Sequence, residues 1–94
     1  MTNPPPEISF NALVVSLATS AAVHFGDVVD PATGRKRPPN PAAGGNMLDL
    51  LAVLAEKTRG NLTPDEERFL TRVLQELRMR FAEVSRAGDR QAPP

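Results

Sequence analysis

From Ser9 to Phe25 the chain contains no Asp, Glu, Lys or Arg, and its only titratable side chain there is His24. Phe10, Leu13, Val14, Leu17, Ala21 and Phe25 recur at spacings of three and four, which at about 100° per residue line up as one stripe of a helix. Ser9 is a good N-cap, and Gly26 stands where a left-handed residue ends a helix. The pattern predicts a helix of about four turns over residues 9–25.

The opposite face constrains the fold most. Ala12, Ser16, Thr19, Ala22 and Val23 lie there, none of them long or charged, whereas a helix on the surface of a monomer carries Lys, Glu or Arg at such positions. Both flanks therefore call for cover: the large stripe from the rest of the chain, and the face of Ala12, Ser16, Thr19 and Val23 from a second copy. A bilayer crossing takes roughly 20 apolar residues, and this run is shorter and broken by Ser and Thr. Met1 to Glu7 holds three prolines and no basic residue, unlike the start of a signal peptide. No membrane association and a cytoplasmic location are the resulting expectations.

Composition narrows the function. A chain of 94 residues makes one domain with a core that is marginal for a lone subunit. Eleven basic residues balance eleven acidic ones, so no global field draws the protein to nucleic acid or anionic lipid. Without cysteine there is no disulfide framework and no thiolate metal site.

Pro4, Pro5 and Pro6 make residues 1–8 a disordered arm, and residues 87–94, which lack an apolar period, form a disordered tail. The helical domain spans 9–86. Residues 27–39 read as a loop: Asp30 and Pro31 suit the first two turn positions, with Thr33 and Gly34 behind them. Arg35, Lys36 and Arg37 follow as the candidate contacts for an anionic partner.

A second helix is expected at about 41–59, or from Asn46 if Gly44 and Gly45 break it. Its first turn or two should fray, because Gly44 and Gly45 each cost about 1 kcal/mol relative to Ala in a helix. Met47, Leu50, Leu51, Leu54 and Thr58 form its expected inner face, widened by Leu48 and Ala55. A third helix, at 63–86, has the clearest start: Thr63 as cap, Pro64 at the first position and Glu66 completing a capping box. Leu70, Val73, Leu74, Leu77, Phe81 and Val84 form its core stripe. Arg72 can pair with Glu76, Arg78 and Arg80 with Glu76 or Glu83, or across subunits with Asp49 or Glu56. Met79 falls among the outward charges.

Chemistry finds little purchase. A catalytic base needs a nucleophile or substrate pocket within hydrogen-bond reach, and the sequence supplies none for His24. Asp27 and Asp30 beside His24 are weak as metal ligands, because a flexible turn does not fix their geometry. Ser16, Thr19 and Ser20 sit within a helix without an activating motif, and no Gly-rich loop follows a strand. No catalytic, cofactor-binding or metal residue is assigned, and the protein is expected not to be an enzyme.

Several blocks, in order, resemble the bacterial domain-of-unknown-function family 1844. They are the run Phe10 to Ala21; Gly26 with Asp30, Pro31, Thr33 and Gly34; Asp49, Leu50 and Leu51 with Glu56, Lys57, Thr58, Gly60, Asn61, Leu62 and Thr63; and Leu77 to Phe81. The resemblance covers about Ile8 to Val84 and implies a small cytoplasmic helical protein; it carries over no catalytic or ligand residue. The chain departs from the family at Pro38, Pro39, Pro41, Gly44 and Gly45.

The expected fold is all-α: a three-helix domain with disordered Pro-rich termini, pairing as a symmetric homodimer. The leading function is a non-enzymatic assembly or adaptor protein that contacts itself and a further protein partner. The alternative is a nucleic-acid-associated regulator using Arg35, Lys36, Arg37 and the outer arginines, a weaker reading given the zero net charge.

Overall fold

Each helix begins where a side chain takes over an amide that the helix leaves unpaired. The computed structural model describes residues 8–91. Helix α1 (Phe10–His24) follows Ser9, whose Oγ accepts from the Ala12 amide at 3.0 Å. Helix α2 (Pro41–Lys57) follows Asn40, whose Oδ1 accepts from the Ala43 amide at 3.2 Å. Helix α3 (Pro64–Gln91) opens on a reciprocal capping box: the Glu66 amide donates to Thr63 Oγ1 at 3.2 Å and the Thr63 amide to Glu66 Oε1 at 2.8 Å.

The termini differ in part from expectation. Residues 1–7 and 92–94 lie outside the described residues, and with them most of the expected arm and the last part of the expected tail. Residues 87–91, expected to be tail, instead continue α3. No proline interrupts them, and extending a formed helix adds one hydrogen bond per residue fixed, which outweighs the missing apolar period.

A second correction concerns the expected loop. Strands β1 (Val29–Asp30) and β2 (Arg35–Lys36) form an antiparallel ribbon in which Val29 faces Lys36 and Asp30 faces Arg35. The all-α domain thus carries one small hairpin. Asp30 organises its turn: Oδ1 accepts from the Ala32 amide at 2.9 Å and the backbone oxygen from the Gly34 amide at 2.8 Å. Gly34 has φ 71°, the left-handed conformation that closes such a turn and that glycine adopts without steric cost.

The helices run up, down and up. Val14, Leu48, Leu51, Leu70 and Leu74 form one buried cluster, and Ala21, Phe25 and Val84, with Met47, Leu77 and Phe81 against them, form the other. The early parts of α1 and α3 therefore share an end with the late part of α2. The Asn40 amide donates to the His24 carbonyl at 2.7 Å, tying the start of α2 to the end of α1.

Gly44 and Gly45 do not fray α2; they shape it. A Cβ on Gly44 would stand 2.2 Å from a ring carbon of Phe25, and one on Gly45 2.9 Å from a ring carbon of Phe81. The two glycines are a notch that receives two rings, whose centroids lie 6.3 Å apart. With Phe25 seated there, the inner stripe of α2 becomes Gly44, Leu48 and Leu51. Leu50, expected inside, is 49 % exposed, and Val53 is 53 % exposed.

Candidate functional site

The outer face of α1 remains open along most of its length. Ala12, Ser16 and Thr19, three members of the expected self-association face, are exposed. Leu13 and Val15 flank them at 41 % and 49 % exposure. Leu13 was expected on the core stripe; it lies at the stripe's edge, about 100° from Val14. No charge falls anywhere on this stretch.

Val23, the fourth expected member, is buried and does not belong to the open face. It lines a cleft of about 290 Å³ with Thr19, Ser20, His24, Asp30, Pro31 and Arg37, so the hairpin folds back over the last turn of α1. The open face runs from Ala12 to Thr19.

Two ion pairs hold the hairpin and its neck. Arg37 Nε donates to Asp30 Oδ2 at 2.5 Å, with the Asp30 side chain almost wholly buried. The Ala32 amide, and after it the Arg37 guanidinium, hold the Asp30 carboxyl below its ordinary value against the opposing effect of burial. Arg37 is therefore a strut rather than a free cation. Arg35 and Lys36 are exposed, and among the described residues neither makes an ion pair.

The second pair lies at the base of the hairpin. Arg80 on α3 grips Asp27 in a fork, Nε to Oδ2 at 2.8 Å and Nη2 to Oδ1 at 2.6 Å. This hydrogen bonding raises the affinity of Arg80 for its proton. Glu83, one of the partners expected from sequence, is more distant at 3.7 Å. The expected Arg72–Glu76 pair does not form; on the first turns of α3, Arg68 pairs with Asp65 instead.

Sequence reasoning missed Leu50, Val53, Val28 and Val29 as exposed apolar side chains. Met79, suspected from its charged neighbours, is exposed at 63 %. The misassigned α2 face hid Leu50, and the unrecognised ribbon hid the two valines.

His24 is half-buried at the mouth of the cleft. Asp27 and Asp30 are each engaged by an arginine. Among the described residues no three His, Cys, Asp or Glu gather as a metal site, and no helix is long and apolar enough to cross a membrane.

No curated protein and no solved structure matches the chain. The family profile for a domain of unknown function (DUF1844) matches residues 7–83, a span that takes in α1, the hairpin, α2 and most of α3. A single continuous match over the first buried cluster, all of the second but Val84, and the open face places this chain in the DUF1844 family.

Proposed function

We propose that the protein is a non-enzymatic assembly module that works by self-association, and through it by contact with further protein, on the outer face of α1. The supporting observation is the exposure of Ala12, Leu13, Val15, Ser16 and Thr19 on a stretch without charge. A solvated helix face is ordinarily rich in charge. Covering large apolar side chains contributes roughly 1.5–3 kcal/mol for each one taken fully out of water, and Leu50 and Val53 extend the supply beyond α1.

The nucleic-acid reading is weaker. With Arg37 engaged by Asp30, only two of the three loop cations stand free, and each phosphate contact adds only about 0.9 to the salt slope of binding.

Native mass in solution is the test. Sedimentation equilibrium at micromolar concentration should give a multiple of the 10.1 kDa chain mass. Ser16→Glu should return it to a single copy with helix content kept, because Ser16 is exposed in the subunit and a charge is costly only in a dry contact. A parent that stays a single copy throughout a dilution series refutes the proposal.

A further inference from the structure

Where α1 ends against the neck of the hairpin two hollows meet, and His24 and Arg37 line both. The first, of about 290 Å³, takes in Ser20; the second, of about 410 Å³, is walled by Pro38, Pro39 and Pro41. Each is close to the size at which small-molecule sites begin, roughly 300 Å³. We propose that the joined hollows bind a small monocarboxylate with a flat apolar body, its carboxylate held by Arg37, His24 and Ser20 and its body laid on the prolines.

Unspent hydrogen-bonding capacity sets the sign of the ligand. Arg37 serves Asp30 through Nε alone. Among the described residues its two Nη nitrogens, the His24 ring and the Ser20 hydroxyl bond to no other protein group, and those of His24 and Ser20 reach solvent, since no buried side-chain nitrogen or oxygen is left unpaired. The acceptors that the end of α1 would offer are already engaged: the carbonyls of Ala21, Ala22, Val23 and His24 accept from the amides of Phe25, Asp27, Gly26 and Asn40. Both Asp30 oxygens are engaged as well, one by the Ala32 amide and one by Arg37. A ligand there meets a surplus of donors.

Charge sets the class. Asp30 balances Arg37, and no further Lys or Arg lines either hollow, so the site offers a fork of donors more than a net positive field. A planar carboxylate fits the outer edge of a guanidinium with two parallel bonds. A phosphate dianion would bring its second charge against Asp30 with no second arginine or lysine to meet it.

The second hollow selects the body. Proline rings are flat, apolar and fixed in φ, so a ring stacked on them costs little ordering, as when proline-rich segments pack on aromatic side chains. The wall is also held from beneath. Gly26, at φ 81°, brings the end of α1 so close that a Cβ there would stand 2.9 Å from the Arg37 carbonyl oxygen and 3.4 Å from the Pro39 ring.

Titration of the full-length, isotope-labelled chain with sodium benzoate, at ionic strength held constant with chloride and followed by amide chemical shifts, tests the site. Benzoate should move the Ser20, His24 and Asn40 amides and saturate with a dissociation constant on the order of 1 mM, as befits so small a ligand. Benzamide keeps the ring without the charge, and acetate the charge without the ring; each should bind about tenfold more weakly. Arg37→Lys, which keeps a cation for Asp30 but has no fork, should weaken benzoate about tenfold. Since that change can also loosen the hairpin, His24→Leu combined with Ser20→Ala removes the other donors while leaving the Asp30–Arg37 pair in place, and should weaken benzoate similarly. Arg35→Gln with Lys36→Gln strips two charges from the same hairpin outside the hollows and should change the constant by less than about twofold.

Benzamide or inorganic phosphate binding as tightly as benzoate overturns the proposal. So does an unchanged constant in the His24→Leu, Ser20→Ala protein, or a loss in Arg35→Gln, Lys36→Gln as large as in Arg37→Lys. Amides that stay still up to tenfold above the expected constant do the same. Native mass enters none of these outcomes, so this site and the assembly reading stand or fall separately.

Discussion

Gly44→Ala tests the packing that fixes α2 against α1. In an isolated helix the change is favourable, since Ala is preferred over Gly by about 1 kcal/mol. Here the new Cβ would stand 2.2, 2.6 and 2.8 Å from three carbons of the Phe25 ring, whereas carbon pairs rest at about 3.5–4.0 Å. Ring or helix must retreat by more than about 1 Å. Phe25 is 1 % exposed and packed against Ala21, Val84 and the Phe81 ring, so the ring has nowhere to go. Overpacking of this kind costs about 1–3 kcal/mol, and the backbone shift that relieves it opens space between α1 and α2. The expected net effect is a loss of up to about 2 kcal/mol, or up to about 8–16 °C in Tm for a chain of this size.

Urea denaturation followed by circular dichroism, at one fixed protein concentration because association shifts apparent stability, measures the effect. Two other glycines calibrate it. Gly45→Ala meets one carbon of the half-buried Phe81 ring at 2.9 Å, and a ring with freedom to turn should leave that variant near the parent. Gly88→Ala meets nothing within 4 Å inside α3 and should gain up to about 1 kcal/mol. Phe25→Leu should cost less in the Gly44→Ala background than in the parent, because the two positions share one contact. A Gly44→Ala protein as stable as Gly88→Ala would refute the seating of Phe25 in the notch.

The hairpin and its neck yield two further expectations. Asp27→Asn removes the negative charge and one of the two acceptor oxygens of a forked but partly exposed pair, so solvent screening limits the loss to about 0.5–1 kcal/mol, and a double-mutant cycle with Arg80→Gln should return coupling of that size. Because the Asp30 carboxyl in the folded chain lies below its ordinary 3.8, it contributes stability above that value and loses it as pH falls through the folded value. Denaturation midpoints measured between about pH 5 and pH 2 should fall more steeply for the parent than for Asp30→Asn, and equal slopes would refute the assignment.

What could be read from sequence was local. Ser9, Asn40 and the Thr63–Glu66 box act on amides three residues away, and Asp30 with Gly34 closes its turn within five residues, so each start and turn has a short-range cause. The two-residue strands flanking that turn are too short for alternation to show. Gly44 and Gly45 carry opposite meanings locally and in the fold: propensity counts them as breaks, and only the position of Phe25 and Phe81 makes them a notch. The inner face of α2 was misassigned for the same reason. Arg80 finds Asp27 across 53 positions of sequence, a distance at which no local rule pairs an arginine with one aspartate over another. The uncharged face of α1 was visible as a pattern, but its length depended on the hairpin covering Val23.

These long-range contacts are linked through one corner of the molecule. Phe25 in the Gly44 notch, together with the Asn40 amide on the His24 carbonyl, brings the start of α2 directly against the end of α1. Residues 27–39 must then leave α1 and return within a few ångströms of where they departed, and a hairpin is a compact path that satisfies its own backbone groups on the way. Asp27 on Arg80 anchors the outgoing side and Asp30 on Arg37 braces the two strands, which lays the ribbon over Val23. The same glycine that makes the core possible thus sets where the open face of α1 ends. Loosening the notch should lengthen that face as well as weaken the fold, so Gly44→Ala should leave Val23→Cys more reactive toward a thiol reagent than Val23→Cys alone, at a urea concentration where both remain folded. Equal reactivity would mean that the hairpin holds its place over α1 independently of the notch.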